Sequence, residues 1–273
     1  MIFVNIYSFR DMETDATIKD LFAKADKPEE IIVGLLNADD VDYVYDGEYQ
    51  VKTINKPFEQ YHGCGRACWE IQTQLFNEEE WFMKIDPHSR FLNGWDTYYK
   101  NFAGKDRVIT SRCLGYHTDG SFDKLKRHYS RPVGWHNTEV TQLAGTDTSI
   151  ELLETLFMQA GCFFAPGDWV RKVGHDPYVA LWGEETDLSM RTIMAGYKIF
   201  NVQSAVFHLY ERQNRKSTDQ TMLYEKLNRA GIERVKIKLG IREPDNELFM
   251  RGWDEWGCDG SEYKEKIERL WNA

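Results

Sequence analysis

The sequence predicts an α/β fold with a central, mostly parallel sheet flanked by helices. "IFVNIYSF" at 2–9 is short, β-branched and aromatic, the pattern of a buried strand, and "PEEIIVGLL" at 28–36 gives a second one. Between them Ile18, Leu21, Phe22 and Ala25 recur at the spacing of one helical face. A strand, helix and strand within about 35 residues form a βαβ unit, whose crossover is right-handed almost without exception.

Asp11, Thr14 or Asp15 can cap the first helix. "GRACWEIQTQLF" predicts the next helix, with Ala67, Ile71 and Leu75 four residues apart, and "EEWFMKI" a third strand ending at Asp86. In open α/β sheets ligands sit beyond the carboxyl ends of strands, where Ser8 to Arg10 and Asp86 to His88 both fall. Residues 104–149, including the strand-like "RVITSRCLGY", predict loops and short strands over that crevice. "SIELLETLFMQAG" predicts a helix with Leu152, Leu153, Leu156 and Phe157 on one face, and "CFFAPGDWVRKVGHDP" a strand and turn. "EETDLSMRTIMAGYKIF" predicts a helix ended by Gly196, and "NVQSAVFHLYER" a strand that carries His208.

With 273 residues, 42% of them hydrophobic, the chain can bury a sizeable core. We divide it into a main domain at 1–212 and a helical extension at 213–273 packed on it. The 34 basic against 44 acidic residues exclude a generally basic, nucleic-acid-coating surface. Locally, residues 212–242 reverse this, with nine Lys or Arg (212, 215, 216, 226, 229, 234, 236, 238, 242) against three acids (219, 225, 233). That run is either a solvated helical face or an arm that holds an anionic acceptor or a diphosphate. Five scattered cysteines without a CxxC pair predict reduced thiols, and no window approaches the ~18 apolar residues of a membrane span. A cytoplasmic location without membrane association is the expectation.

Asp86 and His88, at i and i+2 on an extended segment, point to one side and can reach one cation; a turn with a surface histidine has the same sequence. Mixed oxygen and nitrogen ligands suit Mn²⁺ better than Ca²⁺. His208 is either a third ligand from a distant strand or a core histidine. In "WGEETD", Glu184, Glu185 and Asp187 either complement a helix dipole, bind hydroxyls, or stabilise positive charge on a departing glycosyl group. Ser8, Arg10 and Arg66 are candidate nucleotide or phosphate contacts, and Gly63 and Gly65 before a helix leave N–H groups for an anion or simply make a turn.

Taken in order, "IFVNIYSFRDMETDATIKDLFAKADKPEEIIVGLL", "GRA", "KIDPHSRFLNGWD" and "HDPYVALWGEETDLSMRTIMAGYKIFNVQSAVFHLYER" resemble the GlcNAc-type glycosyltransferases of the GT-A fold. This is the family of the cytosolic hydroxyproline GlcNAc transferase, and the last two segments also resemble the polypeptide GalNAc transferases. The resemblance covers roughly residues 1–212 and implies a Rossmann-like nucleotide-sugar-binding domain there. It implies that Asp86, His88 and His208 hold Mn²⁺ or Mg²⁺ on the diphosphate of a UDP-sugar donor. It further implies nucleotide contacts from Ser8, Arg10, Arg66 and Asp86, and sugar or acceptor contacts from the Glu184-Glu185 region. Pro87 stands where relatives commonly carry serine, facing away from the metal; Glu185 stands where the GalNAc transferases carry asparagine, which leaves GlcNAc, GalNAc and Glc open.

The expected reaction is transfer from a UDP-sugar to an acceptor hydroxyl, with retention, as in the relatives, and without a dedicated base. If inversion applied, Glu184, Glu185 and Asp187 would be the base candidates. The acceptor is a protein, a glycan or modified DNA; a DNA glycosyltransferase acting on hydroxymethylated bases would use the 212–242 segment and "KLKRHYSR" at 124–131. A non-catalytic carbohydrate-binding module would instead stack sugars on some of the 9 Trp and 14 Tyr.

Overall fold

A computed structural model of the chain describes residues 1–136, 140–211, 222–241, 250–251 and 253–271. Strand β1 (Ile2–Phe9), helix α1 (Thr14–Lys24) and strand β2 (Ile31–Ala38) form the expected βαβ unit, with β1 and β2 parallel from Ile2↔Ile31 to Phe9↔Ala38. Strand β3 (Gln50–Lys56) extends β2 in parallel. Helix α2 (Cys64–Gln74) then leads to β4 (Trp81–Ile85), parallel to β1 on its other side. After β5 (Ser89–Phe91) and α3 (Trp95–Phe102), β6 (Arg107–Thr110) joins the main sheet and β7 (Leu114–Tyr116) leaves it.

A hairpin follows, β8 (His128–His136) and β9 (Val140–Asp147), then β10 (Leu153–Thr155), β11 (Cys162–Pro166) and the short helix α4 (Asp168–Lys172). Helix α5 (Glu184–Met194), β12 (Lys198–Asn201) and β13 (Val206–Leu209) complete the main unit; α6 (Met222–Lys238), α7 (Trp253–Trp256) and α8 (Ser261–Trp271) follow. The main sheet runs β10-β12-β6-β11-β4-β1-β2-β3, mostly parallel, with β11 antiparallel to both neighbours and β10 antiparallel to β12. A smaller sheet, β5-β13-β7, is built from the strands that follow β4, β12 and β6 in the chain.

Alternation along β1 explains why both faces of the sheet are covered. Ile2, Val4 and Ile6 join Ile18 and Leu21 of α1 and Trp95 of α3 in one core. Phe3 belongs to the opposite core with Ala67 and Ile71 of α2 and Leu188 of α5. The helices after residue 221 have a third core, in which Ile232, Val235, Tyr263 and Ile267 meet Val179 and Met190.

Several expectations are corrected. The segment 149–161 is no helix: Leu153 to Thr155 pair antiparallel with β12, and Phe157 and Met158 are buried beyond them. Closely spaced leucines fit an edge strand as well as a helical face, and pairing with β12 decides it. "RVITSRCLGY" is broken at Ser111 between two sheets. β3 is too polar, and α3 too aromatic, to stand out by periodicity. In the basic segment, positions 212, 215, 216, 219 and 242 lie outside the described residues. Arg234 and Lys238 are buried and bond Asp176, and Lys238 also bonds Asp187, so these two cations fasten α6 to the main unit. Among the described residues no helix is long and apolar enough to cross a membrane.

Candidate active site

The end of β4 and the middle of β13 build one cluster. β5 turns back after Pro87 and pairs antiparallel with β13, placing His208 opposite Ser89, while Leu209 N–H donates to His88 O over 3.1 Å. Asp86, His88 and His208 thereby converge, their nearest ligating atoms all within 4.8 Å of one another. His208 Nε2 lies 3.2 Å from Asp86 Oδ2 and 2.8 Å from His88 Nε2.

Around the cluster the supports are charged. His88 Nδ1 donates to Asp11 Oδ2 over 2.9 Å, which leaves the Nε2 lone pair directed at the cluster. Lys84, two residues before Asp86 on β4, donates to Asp86 Oδ1 over 2.8 Å, and its ammonium lies 5.0 Å from the Tyr7 ring centroid. Burial alone pushes the Asp86 carboxyl up, but Lys84 and the two histidines outweigh it and hold it well below the usual carboxylate range. Burial draws His88 down against the pull of Asp11, favouring the neutral imidazole. One carboxylate and two imidazole nitrogens on a common centre, with Asp11 orienting the first imidazole, fit a borderline divalent cation.

Beside the cluster opens a cavity of about 400 Å³, lined by Tyr7, Lys84, Asp86 and His208 and by the stretch Leu181 to Glu185, among others. Gly183 adopts a left-handed φ of 86°, which turns the chain sharply into α5 and delivers Glu184 to the cavity at the first helical position. Glu184 is 4% exposed; its Oε2 lies 3.0 Å from the Cys64 thiol, and its Oε1 lies 3.4 Å from His175 Nε2. Glu185 also lines the cavity, with Oε1 accepting the Ala160 N–H over 3.0 Å.

The cavity therefore gathers Asp86, His208, Glu184 and Glu185, and His88 stands behind it in the cluster. Asp187 is not on its lining: the carboxylate bonds Arg191 and Lys238 in the interior. Ser8 pairs with Thr14 Oγ1 over 2.8 Å, Arg10 with Asp40 over 3.0 Å, and Arg66 with Glu70 over 2.9 Å, none of them on the lining. Gly65 offers no N–H to an anion, because it donates to Ala180 O over 3.1 Å, and an added Cβ would stand 2.0 Å from Val179 O. Sequence reasoning passed over Asp11, Lys84, Tyr7 and His175. A lysine inside the apolar "WFMKI" was the available signal for Lys84, since a buried charge needs a partner.

Comparison with known proteins fits this architecture. The chain matches the family described as Glycosyltransferase (GlcNAc) over residues 1–45 and 46–250. A crystal structure of GalNAc-T7 with UDP, GalNAc and Mn²⁺ superposes with a TM-score of 0.61 at 13% identity, covering 98% of this chain and 56% of that one. A structure of S. aureus TarS superposes with a TM-score of 0.56 at 10% identity, covering 99% of this chain and 42% of that one. The 1–349 portion of S. aureus TarS in complex with UDP-GlcNAc gives 0.52 at 10% identity, covering 98% and 83%. At these identities the likeness shows the fold, the GT-A type, and the chain spans about half the length of the first two proteins. No curated protein sequence matches it.

Proposed function

The chain belongs to the GlcNAc glycosyltransferase family, and from that premise we propose that it transfers a sugar from a UDP-sugar to an acceptor hydroxyl, with retention and with a divalent cation. The observation that carries this reading is that one cavity is lined by Asp86 and His208 of the cluster together with Glu184 and Glu185. Asp86, His88 and His208 would hold Mn²⁺ or Mg²⁺. When bound, the ion neutralises charge developing on the departing diphosphate, so that no strong general acid is required.

The remaining roles fall to the protein's own groups. Lys84 keeps Asp86 ionised and adds positive charge to the diphosphate side of the cavity. Glu184 and Glu185 receive sugar or acceptor hydroxyls and stabilise positive charge at the anomeric carbon as its bond to the β-phosphate oxygen breaks. The acceptor oxygen bonds the same face of that carbon, and its proton passes to the leaving phosphate. Arg10 and Arg66 are partly exposed, and their ion pairs can exchange for phosphate or nucleotide contacts at a cost of about 1 kcal/mol or less.

We favour a protein or glycan acceptor over modified DNA. Lys126 and His128 of the "KLKRHYSR" run both contact Asp147, and Arg127 pairs with Glu151, so that part of the run's charge is offset locally. A panel of UDP-sugars with Mn²⁺, read as released UDP, tests the reaction. Release with at least one sugar, lost in Asp86→Ala and His88→Ala proteins that remain folded, is expected; full activity in EDTA excludes the metal role.

A further inference from the structure

We propose that His175 is a positioning residue for Glu184, holding its carboxylate toward the donor cavity as the last link of a Gln72–His175–Glu184 relay. The inference rests on Glu184 being a donor-site carboxylate, as read above. Cys68, His175 and Glu184 are buried together, with ligating atoms all within 4.8 Å of one another. Such a trio is either a second metal site or a hydrogen-bonded support, and Gln72 decides between them.

Gln72 grips His175 twice. Its Oε1 accepts the backbone N–H of His175 over 3.0 Å, which fixes which end of the amide is oxygen. The other end is therefore the NH₂, and it stands 2.8 Å from His175 Nδ1. An amide nitrogen only donates, so Nδ1 is the acceptor. Burial keeps this imidazole neutral. The single ring proton then sits on Nε2, which points at Glu184 Oε1 at 3.4 Å. A protonated Nε2 has no lone pair for a metal ion.

Among the described residues, His175 Nε2 and Glu184 Oε1 are both buried without a hydrogen bond, and at 3.4 Å from one another each is the other's available mate. Contacts of this kind are often long in the free enzyme and tighten when substrate fills the site. The His175 ring packs against the adjoining Phe163 and Trp169 rings, with centroids 6.1 and 6.0 Å off, while Gln72 holds the Nδ1 edge. On the second oxygen, the Cys64 thiol is 3.0 Å away. Burial and the neighbouring Glu184 push that thiol up, so it stays protonated, its single S–H shared between Glu184 Oε2 and the nearer Ala180 O at 2.6 Å. With the imidazole behind one oxygen and the thiol beside the other, the carboxylate is held on the cavity lining.

The test has an arm that needs no activity. Long-range ¹⁵N–¹H correlation on the full chain should show His175 protonated at Nε2, with the resonance moving in Glu184→Gln. Protonation at Nδ1 instead, or one equivalent of tightly bound zinc that disappears in Cys68→Ala, overturns the relay. The second arm is a double-mutant cycle on UDP release. His175→Phe keeps the ring packing and should lower kcat roughly 10- to 100-fold in a protein that remains folded, yet have almost no effect on kcat in a Glu184→Gln background. Equal losses in both backgrounds mean a merely structural role and overturn the proposal. If the wild-type protein releases no UDP with any sugar, the transferase reading fails, while the tautomer result still decides the relay.

Discussion

His88 and His208 meet edge to face, with ring centroids 4.4 Å and Nε2 atoms 2.8 Å apart. Because His88 Nδ1–H donates to Asp11, the bond between the rings runs from His208 Nε2–H to the His88 Nε2 lone pair. A proton occupies the place where two nitrogens and a carboxylate can hold a cation. Mn²⁺ should therefore raise the Tm, by the equivalent of about 2.7 kcal/mol at 100 times Kd. Thermal melts of the wild-type, Asp86→Ala and His208→Ala proteins check this; an equal rise in all three places the ion elsewhere.

Asp11 would support the proposed metal site without being one of its ligands. Its carboxylate fixes the tautomer and angle of His88, and such supports are typically worth 10- to 100-fold in metal affinity. Asp11→Asn retains an acceptor oxygen, so titration calorimetry with Mn²⁺ should show a loss near tenfold. Asp11→Ala should reach roughly a hundredfold. Unchanged affinity in Asp11→Ala would remove Asp11 from the site.

How far the sequence foretold this architecture depends on whether the information is local. The βαβ start, the helix over 64–74 and the strand into Asp86 are legible, because apolar periodicity is a property of neighbours in sequence. Asp86 and His88 are legible as a pair, being two residues apart on a strand end. Asp11 is not, since it reaches His88 across 77 positions and in sequence looks like a helix cap. Asp187 misleads for the same reason: three carboxylates open α5, and only the arrival of Lys238 from α6 shows that the third turns inward. Gly65 likewise reads as an anion loop until the Val179 carbonyl is found against it.

Lys84 sets the charge state of Asp86, so its loss should show in a pH profile. Burial pushes the Asp86 carboxyl up, and Lys84 is foremost among the groups that bring it below the ordinary range. In Lys84→Met that opposition is lost and the carboxyl rises. Asp86 then protonates at a higher pH, and kcat/KM for UDP release should fall away sooner on acidification. An acid limb that coincides with the wild type would show that Lys84 does not govern Asp86.

The contact between Lys238 and Asp187 makes a corresponding prediction for stability. Asp187 is buried, which alone would raise its carboxyl; Arg191 and Lys238 outweigh this and bring it from 3.8 to about 2. A carboxyl depressed in the folded state contributes stability that is complete above its unfolded value, near 4, and is lost as pH falls toward about 2. The contribution is on the order of 2 kcal/mol. Replacing Lys238 by Met removes a cation that also bonds Asp176 over 2.8 Å, leaving two buried carboxylates short of a partner at neutral pH. Breaking a buried pair in this way costs about 3–5 kcal/mol. Lys238→Met should therefore unfold at lower urea at pH 7, and acidification between pH 4 and about 2 should cost it less further stability than it costs the wild type. Parallel urea curves at the two pH values measure both effects, and identical pH dependence in the two proteins would mean that Lys238 does not hold Asp187 ionised.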